Sequence, residues 1–418
     1  MADEQDKLGV YFEGRPVGTV GVDGSGRFNF EYASSWASDT KAFAISRSLP
    51  LGGSEGQSDV GHSFFSNLLP EGSVREQVAR HLGVSPGNDF ALLDALGGEC
   101  AGALVISRSP SVSKTPSYRP LNEKQIANRA SRGLAFAETS GTDGIRLSLA
   151  GAQDKLPVKV DGVTLLLPEG NSPSTHILKF ANPNYSGFPE NELFVTRLAG
   201  LAALPTVTAE LRTIRKSRHL LVKRYDRLVE GDGKIHRLHQ EDFCQALGVA
   251  PARKYEQEGG PRFDQCFALV EDASVEPALD TRSLLRWLVF NLIVGNADGH
   301  AKNLSLLFGP DGTRLASFYD LLCTAIYPTV ATRLAMSVHG NGDPGEIRGK
   351  DWRALATAIK VGGRFLEDVV LELVEELPPK ARQLSRDLES EYGGMGIADS
   401  IAAKIATRAR RTKQLLKL

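Results

Sequence analysis

Long uninterrupted apolar runs are missing from this chain. The longest, around Trp287 to Val294, is hemmed in by Arg286, Asn291 and Asn296. It is too short to span a bilayer and reads as a buried helix, so no membrane partner is expected. Cysteine pairs are missing too. The four cysteines (Cys100, Cys244, Cys266 and Cys323) are scattered, with no Cys-x-x-Cys among them. That argues against a disulfide framework or a zinc site and for a reducing cytosol. Neither sign of charge dominates: Lys and Arg number 49 against 50 Asp and Glu, a formal net charge of -1. No global attraction to nucleic acid or membrane follows from such a balance. The opening residues, Met1-Ala2-Asp3-Glu4-Gln5-Asp6, are acidic and polar, unlike a secretory signal. Internal repeats and low-complexity tracts are absent. These features predict a cytoplasmic protein.

The familiar short motifs are incomplete. Gly24-Ser25-Gly26-Arg27-Phe28-Asn29 lacks the last Gly of a Gly-x-Gly-x-x-Gly loop. Gly345-Glu346-Ile347-Arg348-Gly349-Lys350-Asp351 is one residue short of a Walker A loop and ends without a hydroxyl for Mg²⁺. His236 and His239 stand at the wrong spacing for a zinc protease.

What is present is an ordinary globular composition, 41% hydrophobic and 24% charged, over 418 residues, enough for two or three domains. Short alternating runs over 8–12, 16–22 and 27–32, separated by Gly-containing turns, predict an antiparallel meander. Helices are expected over 73–82 and 89–96, then a strand over 102–107. Residues 1–107 thus read as an N-terminal β-rich subdomain. The Pro- and Ser-rich stretch 108–130 reads as a linker. Residues 131–240 return to strands, with one helix near Glu190, and 241–418 are predominantly helical. Helical windows lie over 241–247, 264–271, 281–294, 351–359, 365–376 and 381–391. The expected class is α+β: a β-rich N-terminal lobe and an all-helical C-terminal lobe, the layout of protein kinases. The basic end of the last helix (Lys404, Arg408, Arg410, Arg411, Lys413, Lys417) fits a solvated face better than a nucleic-acid contact.

The chemistry concentrates in Asn296-Ala297-Asp298-Gly299-His300-Ala301-Lys302-Asn303. A carboxylate followed five residues later by a carboxamide suits phosphoryl transfer from ATP. The carboxylate orients an attacking hydroxyl and accepts its proton, and the carboxamide oxygen holds one Mg²⁺. A further acid, Asp320, follows two apolar strands joined by Gly309-Pro310-Asp311-Gly312. A hairpin there brings Asn303 and Asp320 to the same end. His300 is expected to orient the loop or touch phosphate, and Lys302 to neutralise the transferred group. Small residues in Ser148-Leu149-Ala150-Gly151-Ala152-Gln153-Asp154-Lys155 allow the main chain to close on phosphate oxygens. Lys179, set in the apolar strand Ile177-Leu178-Lys179-Phe180, calls for an anionic partner, a triphosphate with Glu192. Lys223, Arg224 and Tyr225 end another apolar strand, where a hinge would present main chain to adenine.

These segments resemble the HipA family, serine/threonine kinases that act as toxins of bacterial toxin–antitoxin pairs. Ser148 to Lys155, Thr175-His176-Ile177-Leu178-Lys179, Gln240-Glu241-Asp242, Lys254-Tyr255-Glu256, Asp298 to Asn303 and Phe318-Tyr319-Asp320 carry the likeness, with Phe64-Phe65-Ser66-Asn67-Leu68-Leu69-Pro70 in the first subdomain. The resemblance implies Asp298 as catalytic base and Asn303 and Asp320 as Mg²⁺ ligands. It implies an ATP site formed by Ala150, Gly151, Ala152, Gln153, Asp154, Lys155, Lys179, Lys223, Arg224, Tyr225, His300 and Lys302. It also implies autophosphorylation of Ser148. The partners it implies are a small helix-turn-helix antitoxin, operator DNA through that antitoxin, and an aminoacyl-tRNA synthetase such as glutamyl-tRNA synthetase as substrate. A small-molecule or lipid kinase, or a non-catalytic co-repressor, are the alternatives.

Overall fold

A computed structural model describes residues 7–52, 58–109, 116–132, 153–182 and 184–417. The chain forms two compact units, one of residues 1–180 and 213–251, the other of 181–212 and 252–418.

The first unit opens with the expected meander, β1 (Lys7–Phe12), β2 (Arg15–Val22) and β3 (Phe28–Tyr32). Four helices follow: α1 (Ser34–Ala37), α2 (Ser58–Ser66), α3 (Gly72–Leu82) and α4 (Asp89–Leu96). β4 (Leu104–Ser107) then pairs with β1, giving the order β3-β2-β1-β4. Alternation puts Leu8, Val10, Val17, Val20 and Phe28 on the buried side, where they share a core with Phe64 and Phe65 of α2. Of the stretch expected as a linker, residues 116–130 are built into the unit instead. β5 (Ser117–Pro120) pairs with β7 (Thr164–Glu169), and α5 (Glu123–Arg132) buries Ile126 and Arg129. Its polar composition conceals one short edge strand, where proline is tolerated. β6 (Lys155–Asp161), β7 and β8 (His176–Lys179) continue the sheet.

The chain leaves for the second unit through α6 (Phe188–Leu201), and β9 (Ala209–Ile214) spans the boundary on the way back. Within the first unit, β10 (Ser217–Lys223) extends the sheet to β5-β7-β6-β8-β10. A hairpin of β11 (Arg227–Val229) and β12 (Ile235–Arg237) follows, then β13 (His239–Asp242) and the single turn α7 (Phe243–Ala246). The window 241–247, expected as a helix, therefore begins as strand. Asp242 and Gln245 form a reciprocal capping box that starts the turn only at Phe243.

The second unit is predominantly helical, as expected for the C-terminal lobe, and carries the hairpin expected around Gly309-Pro310-Asp311-Gly312. It contains α8 (Phe263–Ala273), α9 (Pro277–Val294), the hairpin β14 (Ser305–Gly309) and β15 (Gly312–Leu315), α10 (Gly349–Ala358), α11 (Gly363–Tyr392) and α12 (Gly396–Leu416). α9 is buried almost all round and packs against α8, α11 and α12. α11 runs through Pro378 and Pro379, where two helices were expected. The continuous buried face of Val374, Leu377, Ala381 and Leu384 outweighs the lost N–H donors. Basic groups of α12 bond within the unit: Arg408 donates to the Leu292 carbonyl at the end of α9, and Lys413 pairs with Glu375. Among the described residues, no helix is long and apolar enough to cross a membrane.

Candidate active site

α9 ends at Gly295 in the left-handed region, φ 80°. A side chain there would strike Ala325 Cβ at 2.8 Å, so the tight exit requires glycine. The following loop is wired from both ends. Asn296 donates to Asn291 Oδ1 at 2.8 Å and accepts from the Asp298 N–H at 3.0 Å. The Ala297 N–H donates to Thr324 Oγ1 at 2.8 Å, while the Ala297 carbonyl accepts from the Ala335 N–H. Gly299 sits against Trp287, 3.3 Å from where a Cβ would lie. A buried loop thus presents Asp298, whose side chain is 51% exposed.

Residues Ala301–Asn303 form one tight turn, with Asn303 Oδ1 accepting the His300 N–H at 3.1 Å. β14 and β15 pair from Leu306 opposite Leu315 to Gly309 opposite Gly312. The hairpin returns the chain so that the Tyr319 hydroxyl donates to the Lys302 carbonyl at 2.8 Å and lies 2.7 Å from Ser305 Oγ. Asp320 is therefore delivered beside the Asp298–Asn303 loop, and it adopts φ +53°. That conformation is uncommon outside glycine, and Asp is among the residues that adopt it most readily. It is held from either side. Phe318 is bridged to Thr206, and the carboxamide of Asn191, fully buried on α6, clamps both the N–H and the carbonyl of Cys323 at 2.8 and 3.0 Å.

Among the described residues, no group of three or more His, Cys, Asp or Glu side chains is placed to hold a metal. One carboxylate and one carboxamide are instead a donor set suited to Mg²⁺, which keeps waters and takes phosphate oxygens to complete its shell. Asn303 Oδ1, with one lone pair on His300, has a second to offer. The pair Asn303 and Asp320 fits that ion. His300 and Lys302 are both buried, and His300 Nε2 stands 3.9 Å from Asp298 Oδ1. One side chain without an assigned role in the sequence reading joins them: the Tyr255 hydroxyl donates to Asp298 Oδ1 at 2.6 Å. Asn191 was likewise missed. Only the Lys254-Tyr255-Glu256 motif hinted at the former, and nothing local hinted at the latter.

The remaining candidates lie in the first unit. Ser148, Ala150, Gly151 and Ala152 fall outside the described residues. Gln153 and Asp154 are stitched to the end of β8: the Gln153 amide donates to the Phe180 carbonyl, and the Phe180 N–H to the Asp154 carbonyl. The Asp154 carboxylate faces the buried Arg129 at 2.5 Å, yet burial outweighs that guanidinium and raises its pKa. Lys155 and buried Lys179 are direct cross-strand neighbours, so two cations share one face of the sheet. Lys223 is exposed at the end of β10, and the Tyr225 hydroxyl donates to Gln240. Arg224 is committed elsewhere. Its N–H bonds the Thr175 carbonyl, and its guanidinium is buried between Glu99 and Asp226, which leaves its carbonyl as the group able to meet a ligand.

Residues 147–381 match the HipA-like C-terminal domain, and residues 8–107 the HipA N-terminal domain. The chain is 39% identical to a Sinorhizobium fredii protein named putative kinase Y4mE, over 96% of this chain and 97% of that one. It is 29% identical to the serine/threonine-protein kinase toxin HipA of Shewanella oneidensis, over 87% of this chain and 85% of that one. A solved complex of the Shewanella oneidensis HipA with HipB and operator DNA matches with a TM-score of 0.85 at 26% identity, covering 98% of both chains. The full-length likeness makes the fold α+β and protein-kinase-like, β-rich towards the N-terminus and helical towards the C-terminus.

Proposed function

The chain belongs to the HipA family of serine/threonine kinase toxins, and on that premise we propose that it transfers the γ-phosphoryl group of ATP to a serine or threonine hydroxyl of a protein. The observation that carries this reading is the hairpin closure, with Tyr319 bonded to the Lys302 carbonyl. It brings the Asp298–Asn303 loop and Asp320 to one end of β14–β15. In this reading Asp298 accepts the proton as the hydroxyl oxygen bonds to the γ-phosphorus. The bond to the β–γ bridging oxygen breaks and ADP leaves. Asn303 and Asp320 hold Mg²⁺, which offsets phosphate charge when bound. Lys179 and Lys155 take the phosphates, with Lys302 beside the transferred group. The main chain of 223–225 meets adenine. The acceptor is a translation component, an aminoacyl-tRNA synthetase such as glutamyl-tRNA synthetase, and Ser148 is the autophosphorylated residue. A helix-turn-helix antitoxin, bound to operator DNA, holds the kinase in check. The HipA–HipB–DNA assembly of the solved relative supports that partnership.

The test is transfer from γ-labelled ATP with Mg²⁺ to Ser148 and to glutamyl-tRNA synthetase. Asp298→Asn should still bind ATP while transfer falls about 10²–10⁴-fold, since the base is lost and the shape kept. Near-unchanged labelling by that variant rejects Asp298 as base. Labelling of a small molecule or lipid in place of protein rejects the protein-kinase assignment.

A further inference from the structure

Tyr255 precedes Asp298 by 43 residues and meets it only in the fold. Its hydroxyl donates to Asp298 Oδ1 at 2.6 Å, and its ring stands edge-on to His300, centroids 5.3 Å apart at 79°. The tyrosine is itself held. Its carbonyl accepts the N–H groups of Glu258 and Gly260, and Gly260 is obligatory because a Cβ would lie 2.1 Å from the Arg253 carbonyl oxygen. The next residue, Glu256, donates its N–H to the Ala335 carbonyl and accepts from the Ser337 N–H and hydroxyl at 2.5 and 2.7 Å. Ala335 in turn donates to Ala297, adjacent to Asp298. The bonds form a closed circuit through 255–256, 335–337 and 297–298.

An exposed aspartate turns freely about two side-chain bonds, whereas a general base must sit within about 0.5 Å of its productive position. We infer that Tyr255 is the positioning residue of the catalytic carboxylate: it occupies Oδ1 and so aims Oδ2 at the acceptor hydroxyl. Glu256 is the anchor that keeps Tyr255 in place. The inference rests on the kinase reading and adds to it a residue that touches neither ATP nor the acceptor.

Tyr255→Phe in the full chain keeps the ring against His300 and removes only the hydroxyl. The kcat for transfer should fall about tenfold or more, with KM for ATP and the melting temperature little changed. In an Asp298→Asn background the same substitution should have little further effect on residual kcat, because its action passes through the carboxylate. Glu256→Gln, which loosens the anchor, should lower kcat in the same direction and by less. Wild-type kcat in Tyr255→Phe, or an equal fractional loss in the Asp298→Asn background, overturns the role alone. So does phosphate appearing on Tyr255, since the hydroxyl would then be an acceptor. Absence of any transfer by the unaltered chain overturns the kinase reading, and this role with it.

Discussion

Replacing Glu99 by Gln tests how the N-terminal subdomain supports the proposed hinge. Glu99 is 2% exposed. Its Oε1 accepts from the Ser174 N–H and hydroxyl, from Arg224 at 2.9 Å and from Arg227 at 3.2 Å, while Oε2 faces Arg237. Asp226 is the second carboxylate, bound by Arg224, Arg227 and the Gly102 N–H. Two anions thus face three guanidiniums, one cation in surplus. Burial alone would raise the Glu99 pKa, but Arg237, Arg227 and Arg224 together pull it down to about 2 from 4.5. At about 1.4 kcal/mol per pKa unit, the lowered value corresponds to about 3 kcal/mol of stability. Breaking one partner out of a buried ionic cluster costs about 3–5 kcal/mol, in agreement. Glu99→Gln keeps the shape but leaves Asp226 alone against three cations. Hydrogen exchange of the β8 and β10 amides should therefore accelerate about 100-fold at neutral pH. KM for ATP should rise, because Arg224 lies within the proposed hinge. The double variant Glu99→Gln/Arg237→Gln should recover part of the loss, since it removes a surplus cation. The Glu99 pKa is depressed on folding, so its contribution is complete above pH 4.5 and disappears as pH falls towards 2. Exchange within about threefold of wild type, or a double variant worse than the sum of its parts, would refute the reasoning.

Two further outcomes are expected. Asp320→Asn should preserve the fold, because Asn also tolerates positive φ, yet weaken Mg²⁺-dependent ATP binding in calorimetry; unchanged affinity removes Asp320 from the metal site. Burial raises the pKa of Glu241 to about 7, bonds from Ser46 and Arg47 offsetting it only in part. The folded state therefore favours the protonated acid, and stability that is complete below pH 4.5 is lost as pH rises through 7. Glu241→Gln should thus remove about 2–3 kcal/mol of alkaline destabilisation, read from melting temperatures at pH 5 and pH 8. An unchanged difference between those two temperatures would contradict it.

Local pattern was most legible where one segment forms its own structure. α4 spans Asp89–Leu96, as its periodicity and Gly97-Gly98 stop indicate, and the β14–β15 turn follows Gly309-Pro310-Asp311-Gly312. Misreadings fell where neighbours outvoted composition. Pro378-Pro379 looked like a break, yet the apolar stripe on either side keeps α11 in one piece. Pro- and Ser-rich residues near 117–120 looked like linker, yet β7 offers them a sheet edge.

The division follows from sequence distance. Residues 295–303 contain within nine positions a glycine exit, a carboxylate and a carboxamide, so the sequence by itself determined a tight polar loop after a buried helix, with the spacing that suits phosphoryl transfer. Partners contributed from far along the chain carry no such signature. Asn191 clamps Cys323 from 132 residues away, Glu99 meets Arg224 from 125, and Tyr255 meets Asp298 from 43. A buried Arg or Asn in sequence declares only that some partner exists. Which one it is depends on how strands and helices pack, because a desolvated polar group takes whichever complementary atom the fold brings within reach. The tertiary structure alone decided that Arg224 turns inward to an ion cluster, that Asp320 is held in a left-handed conformation, and that a tyrosine hydroxyl bonds the aspartate on which the proposed chemistry depends.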